Sequence, residues 1–129
     1  MFNKLYRRFS FAGTILLMVL FSGCGRDLPT LNSFDTEAWK SDRNACGTYR
    51  ATAATSLASQ KEKLLALKEM QIVELLGRPD RNELYRRNQK FYYYYLKPSP
   101  DCPAYDAANS TRLAIRFNAM GLAKEVLIE

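Results

Sequence analysis

Apolar and polar positions divide the chain into stretches of different rhythm. From Phe9 to Phe21 it is almost continuously apolar, behind a short basic head carrying Lys4, Arg7 and Arg8. Residues 24–38 are mostly polar, with Gly25 and Pro29 and no period, which predicts a tether. Trp39 is the first side chain expected to be anchored, so a single domain is expected over 39–129. From about Ala45 to Leu65 the text is rich in Ala, Leu, Lys, Glu and Gln, and Tyr49, Ala53, Leu57, Leu64 and Leu65 fall near one face of a helix. Gly47 is expected to weaken its first turn. A shorter helix is predicted from about Glu69 to Leu76, with Ile72, Val73, Leu75 and Leu76 as its apolar residues. Gly77 then stands where a helix-ending glycine should, and Pro79 follows it.

The second half reads as strands. Glu83 to Arg87 is a short candidate. Lys90 to Lys97 contains Phe91-Tyr92-Tyr93-Tyr94-Tyr95-Leu96, a run of strong strand formers. Asn88-Gln89 between them is a plausible tight turn. Pro98, Pro100 and Pro103 break the pattern. Thr111 to Phe117 alternates, with Leu113, Ile115 and Phe117 on one face and Arg112 and Arg116 on the other. Asn118-Ala119-Met120-Gly121 is a hairpin loop with Gly at a positive-φ position, and Leu122 to Ile128 is the last strand. Helices first and a meander after them predict an α+β domain: two helices packed on one face of a small antiparallel sheet of three to four strands.

The N-terminal stretch has its own chemistry. A basic head, an apolar run and small residues before a cut describe a secretory signal peptide over 1–23. The run is roughly 13 residues, short of the about 20 that a helix needs to cross a bilayer. Its end, Phe21-Ser22-Gly23-Cys24, resembles the lipobox of bacterial lipoproteins, with Phe21 where Leu is usual. That resemblance implies cleavage after Gly23, a diacylglyceryl group on the Cys24 thiol and acylation of the new amino terminus. Several acyl chains are needed because one gives only marginal membrane binding. An ordinary signal peptide with an incidental cysteine is the alternative. Gly25 stands where Asp would favour retention in the inner membrane, which points to the outer membrane in a Gram-negative source.

Composition narrows the function. The chain has 129 residues and a formal charge of +6, but Lys4, Arg7 and Arg8 leave with the signal while the acids stay. A mildly basic mature domain outside the cytoplasm is not expected to bind nucleic acid by charge. There is no histidine, which removes Ser-His and Cys-His nucleophile pairs and most zinc sites. With Cys24 set aside, Cys46 and Cys102 form an even pair in an oxidising compartment and read as a disulfide, two separate buried thiols being the alternative. Asp80, Glu83, Asp101 and Asp106 lie at turns, where Asp serves backbone geometry, and do not form an evident acid pair for hydrolysis. Nothing supplies a nucleophile with an activating base. No catalysis, cofactor or metal is expected.

Several motifs occur in order behind the lipobox: Ile72-Val73-Glu74-Leu75-Leu76-Gly77-Arg78-Pro79-Asp80, the aromatic strand Phe91 to Leu96, and Leu113-Ala114-Ile115-Arg116-Phe117-Asn118 followed by Gly121-Leu122. Together they resemble the SmpA/OmlA, or BamE-like, family of small outer-membrane lipoproteins over roughly Leu67 to Ile128. The family enters its short helix with Gly-Met-Thr, whereas Ala66-Leu67-Lys68 here lack a capping side chain. The resemblance implies a two-layer α+β fold and a non-catalytic accessory role in outer-membrane protein assembly. The same fold serves in a secreted β-lactamase inhibitor, so fold alone does not fix the function.

The aromatic run must split between two faces, Phe91, Tyr93 and Tyr95 on one and Tyr92, Tyr94 and Leu96 on the other. One set fills the core, and the other either covers the sheet or forms an interface patch. The candidate interaction surface is Tyr92 and Tyr94 with Arg86, Arg87, Arg112 and Arg116. The arginines either attract anionic lipid or an acidic partner, or solvate an edge against aggregation. The expected function is a lipid-anchored, periplasm-facing envelope protein that binds another envelope protein. Binding of a lipid or cell-wall ligand, or inhibition of an enzyme, are the alternatives.

Overall fold

The structure, a computed structural model, describes residues 27–129. The expected signal over 1–23 and the lipidation site Cys24 lie outside the described residues. Three helices come first: α1 (Thr36–Ser41), α2 (Tyr49–Gln60) and α3 (Glu69–Leu76). Four strands follow: β1 (Arg81–Tyr85), β2 (Gln89–Tyr95), β3 (Arg112–Phe117) and β4 (Ala123–Ile128). Neighbours pair antiparallel in sequence order, so the sheet is a meander. The chain therefore forms the expected α+β fold, with α1 as an addition. Among the described residues no helix is long and apolar enough to cross a membrane.

The segment before Trp39 is not a loose tether as expected over 24–38. Leu31 is buried. The Asn32 N–H donates to Gln60 Oε1 at 2.8 Å, and Gln60 Nε2 donates back to Asn32 O at 2.7 Å. Asp35 caps α1 by accepting from the N–H groups of Glu37 and Ala38 at 3.0 and 3.1 Å. The domain thus begins near residue 30. Polar composition concealed this because the segment is held by hydrogen bonds, Leu31 and Phe34, whose ring lies 5.2 Å from that of Trp39, rather than by a periodic apolar stripe.

α2 starts at Tyr49, four residues later than expected. Asn44 and Ala45 have φ of +58° and +54°, incompatible with a continuous helix. Gly47 serves close approach: a Cβ there would lie 2.7 Å from Asp42 Oδ1, which accepts the Gly47 N–H at 2.6 Å. Asp42 Oδ2 accepts from the Arg50 N–H at 3.0 Å, so a remote carboxylate satisfies the first turn of α2. After Gln60 the chain tightens into a 3-10 turn at Lys61–Leu64.

α3 ends as its sequence predicts. Gly77 has φ +78°, and its N–H donates to Val73 O at 2.8 Å. Its last carbonyls find aromatic donors: Trp39 Nε1–H donates to Leu76 O at 3.0 Å and Tyr94 O–H to Gly77 O at 2.8 Å. At the other end Lys68 offers no accepting side chain, but Gln71 Oε1 accepts from the Lys68 N–H at 2.9 Å, half of a capping box.

One core fills the space between helices and sheet. Leu57, Leu64, Ile72 and Leu76 meet Tyr94, Leu96, Leu113, Ile115, Phe117 and Val126. Each fully buried aliphatic side chain there contributes roughly 1.5–3 kcal/mol of transfer free energy. β1 lies earlier than expected, at Arg81–Tyr85 rather than Glu83 to Arg87, and its five residues are all exposed. The turn runs through Arg86, Arg87 and Asn88, with Arg87 and Asn88 at φ +58° and +59° and the Gln89 N–H donating to Arg86 O at 3.2 Å. Asn tolerates that left-handed conformation and shifts the turn one residue upstream of Asn88-Gln89. Gly121 has the positive φ expected of it, +77°.

Candidate interaction surface

Strand register decides which aromatic set faces out. Tyr92 is opposite Ile115, and Tyr94 is opposite Leu113, so both point with the core residues toward the helices. Tyr94 is fully buried, and burial pushes its phenol far up from the usual value, with Tyr92 and Asp80 adding to the shift. Tyr92 packs edge-on against Phe117 with centroids 4.7 Å apart. These two tyrosines are therefore removed from the expected surface. The alternation was legible in the sequence, but which phase faced the helices was not. Only the donor role of the Tyr94 hydroxyl at the end of α3 breaks that symmetry.

The opposite face carries the other phase. Phe91 and Tyr93 stack with centroids 5.7 Å apart and an interplanar angle of 2°, and Tyr85 meets Phe91 edge-on at 5.4 Å. Arg112 lies over the Tyr93 ring, its Cζ 3.8 Å from the centroid, and pairs with Glu129 at 3.0 Å. Arg116 donates to Gln89 Oε1 at 2.7 Å and lies 3.8 Å from Glu125. Leu127, opposite Ala114, is exposed, as is Tyr85. Burial, then the Glu83 charge, raises the pKa of Tyr93. Arg112 and Arg116 thus belong to this face as expected. Arg86 and Arg87 lie apart from it, at the exposed β1–β2 turn. The result is a ladder of aromatic rings from exposed Tyr85 through half-buried Phe91 to buried Tyr93, rimmed by guanidinium groups that are paired with acids.

Sequence reasoning missed the polar hub beside Cys46. Arg50 and Asp80 form a fully buried ion pair at 2.5 Å. Asp80 also accepts from the N–H groups of Asn44 and Tyr95 at 3.0 and 2.8 Å. Arg50 Nε donates to Trp39 O at 3.1 Å, and its guanidinium lies over the Trp39 ring at 4.5 Å. Arg50 Nη2 is buried with no hydrogen-bond partner. The Cys46–Cys102 disulfide closes beside it, with Cα atoms 5.3 Å apart, and the Ser99 N–H donates to Asn44 O at 2.9 Å. A sequence clue existed: Arg50 falls three residues before Ala53 and seven before Leu57, inside the apolar stripe. Asp106 serves backbone geometry as expected, accepting from the Ala108 N–H at 3.0 Å. Its pKa is lowered by hydrogen bonds from Asn109 and then Ala108.

A second polar group sits at the opposite end of the sheet. Lys90 Nζ lies 2.7 Å from Glu69 Oε1, and the Tyr92 hydroxyl donates to the same oxygen at 3.5 Å. The Glu69 hydrogen bond holds the Lys90 pKa above its ordinary value. Tyr92 is raised by burial first and by the Glu69 charge second. Among the described residues no group of three or more His, Cys, Asp or Glu side chains is arranged to hold a metal ion. No family model, curated protein or solved structure matches the chain.

Proposed function

We propose that this chain is a lipid-anchored envelope protein whose domain is a non-catalytic docking module for another envelope protein. The anchor is Cys24 in Phe21-Ser22-Gly23-Cys24, and the docking surface is the outer sheet face. The observation that carries the reading is the pair of exposed side chains Tyr85 and Leu127 on one sheet face, with half-buried Phe91 between strands, Arg112 lying over the buried Tyr93 ring, and Arg116 beside them. Aromatic and arginine side chains are the types that dominate protein interfaces. Here they stand on a sheet, where little side-chain freedom remains to be lost on binding. The resemblance to small outer-membrane lipoproteins supports a role in outer-membrane protein assembly.

Site-specific photocrosslinking from cells tests it. A photoreactive residue at Tyr85 or Leu127 is expected to give one discrete crosslinked envelope protein, and the same residue at Glu74 on α3 is expected to give none. Absence of any adduct from the sheet face, or equal adducts from all three positions, would contradict the reading.

A further inference from the structure

The three most exposed large apolar side chains of the described residues are Leu84 at 88%, Met120 at 82% and Met70 at 75%. They share one end of the domain. Met70 follows Glu69, whose N–H donates to Gly121 O at 3.1 Å, and Met120 precedes Gly121. Glu69 pairs with Lys90, and Lys90 is the β2 partner of Leu84. Exposed cations stand around them: Lys68 at the start of α3, and Arg86 and Arg87 in the β1–β2 turn. Of the acids beside them, Glu69 is paired with Lys90 and Glu83 accepts from the Tyr93 hydroxyl at 3.2 Å on the other side of β1. Arg87 holds φ +58°, a conformation that costs an L-residue free energy and would be free for glycine, yet a guanidinium occupies it.

The described chain also leaves from this end. Thr30 O accepts from Lys63 Nζ at 3.0 Å, and Lys63 belongs to the 3-10 turn that precedes Ala66, whose N–H donates to Ala123 O at 2.8 Å at the start of β4. Five residues lie between Cys24 and Thr30, so the six steps reach at most about 20 Å even when fully extended. A lipid on Cys24 therefore holds this end, with its apolar side chains and its cations, close to the bilayer.

We propose that the end formed by Met70, Leu84, Met120, Lys68, Arg86 and Arg87 is a second membrane contact that docks on an anionic phospholipid surface. This rests on the Cys24 anchor proposed above. The methionines and Leu84 enter the head-group layer while the cations meet lipid phosphates, the two contributions that hold interfacial segments at membranes. Acylation alone would leave the domain free to tumble on its tether. With this contact it stands upright, the disulfide-bearing end away from the membrane and the aromatic sheet face open at the side.

Met70 and Met120 report on the contact directly. A chain cleaved before Cys24 loses Met1 and Met18, and these two are its remaining methionines. The full chain is purified from envelopes and reconstituted in vesicles of phosphatidylcholine, alone or mixed with phosphatidylserine. The rate of sulfoxide formation under dilute peroxide is read by peptide mass spectrometry, with the intact mass of the same sample measured alongside. On phosphatidylserine vesicles both methionines are expected to oxidise at least about 5-fold more slowly than on phosphatidylcholine, the equivalent of one charge's worth of attraction. High salt should restore the fast rate in the unaltered protein, as should the double variant Arg86→Glu, Arg87→Glu. Acyl chains in the mass with equal oxidation rates in every condition would overturn the contact and leave the anchor standing. A mass without acyl chains would remove both.

Discussion

The two ends of the sheet are built from opposite materials. At one end a disulfide, a buried ion pair and two aromatic hydrogen-bond donors tie α1, α2 and α3 to β2 and to the loop that carries Cys102. At the other end the polar contacts are a partly exposed Glu69–Lys90 pair and a turn with two non-glycine residues at positive φ. The first end leaves Tyr105 and Leu127 only partly exposed, at 41% each, whereas the second leaves Met70, Leu84 and Met120 at 75% or more. The buried polar contacts are thereby concentrated at one end of the strands and the most exposed apolar side chains at the other. Changes to the buried contacts of the disulfide end should act on folding, and changes to the exposed side chains of the tether end should leave folding almost unchanged.

The largest effect is expected at the buried pair. Asp80→Ala leaves the Arg50 charge buried and strips acceptors from the Asn44 and Tyr95 N–H groups. Urea unfolding should show a loss of roughly 3–5 kcal/mol. Arg50→Met, which removes the charge and also the orphaned Nη2, should cost less when paired with Asp80→Asn than Asp80→Ala does alone. Removing the disulfide by Cys46→Ala with Cys102→Ala comes next. Closing 56 residues of sequence separation gives about 4 kcal/mol from loop-closure entropy, an upper value for the stability lost in the same urea unfolding.

Alkaline pH sharpens the comparison. Tyr92, Tyr93 and Tyr94 all have raised pKa values, so the folded state favours their neutral forms. Their contribution is fully present below the ordinary phenol pKa of about 10 and is lost as pH rises through the folded values. Absorbance titration should show these three phenols ionising late, with Tyr94 ionising only as the protein unfolds.

The tether end should respond weakly. Glu69→Gln removes a partly exposed ion pair and should cost under about 1 kcal/mol. Arg87→Gly relieves a positive φ and should raise stability by up to about 1 kcal/mol, offset in part by the greater freedom of glycine when unfolded. A loss of several kcal/mol from either change, measured by the same urea unfolding, would erase the distinction between the ends.

How much of this was legible follows the same division. Period and punctuation gave α3, its Gly77 stop, the Gly121 turn and the strand order, because each rests on local chemistry. The Cys46–Cys102 pairing was legible from the cysteine count together with the expected compartment. Two things depended on contacts far apart in sequence and were not readable locally, the Asn32–Gln60 fastening of the supposed tether and the inward phase of Tyr92 and Tyr94; the Asp42 cap on α2 reaches only five to eight residues but follows no standard capping spacing. Alternation says that two tyrosine sets point apart, but only the helix end that needs a donor says which set points in. Arg50 shows the limit most clearly, since a cation inside an apolar stripe announces a buried partner without naming Asp80.

The most direct measurement is the intact mass of the protein isolated from bacterial envelopes after expression of the full precursor, with and without reductant and thiol alkylation. The expected mass is that of a chain beginning at Cys24 with acyl chains attached, with no alkylation of Cys46 or Cys102 until reductant is added. A mass without lipid, or one that retains residues 1–23, would contradict the anchored docking module and leave the α+β domain without its membrane.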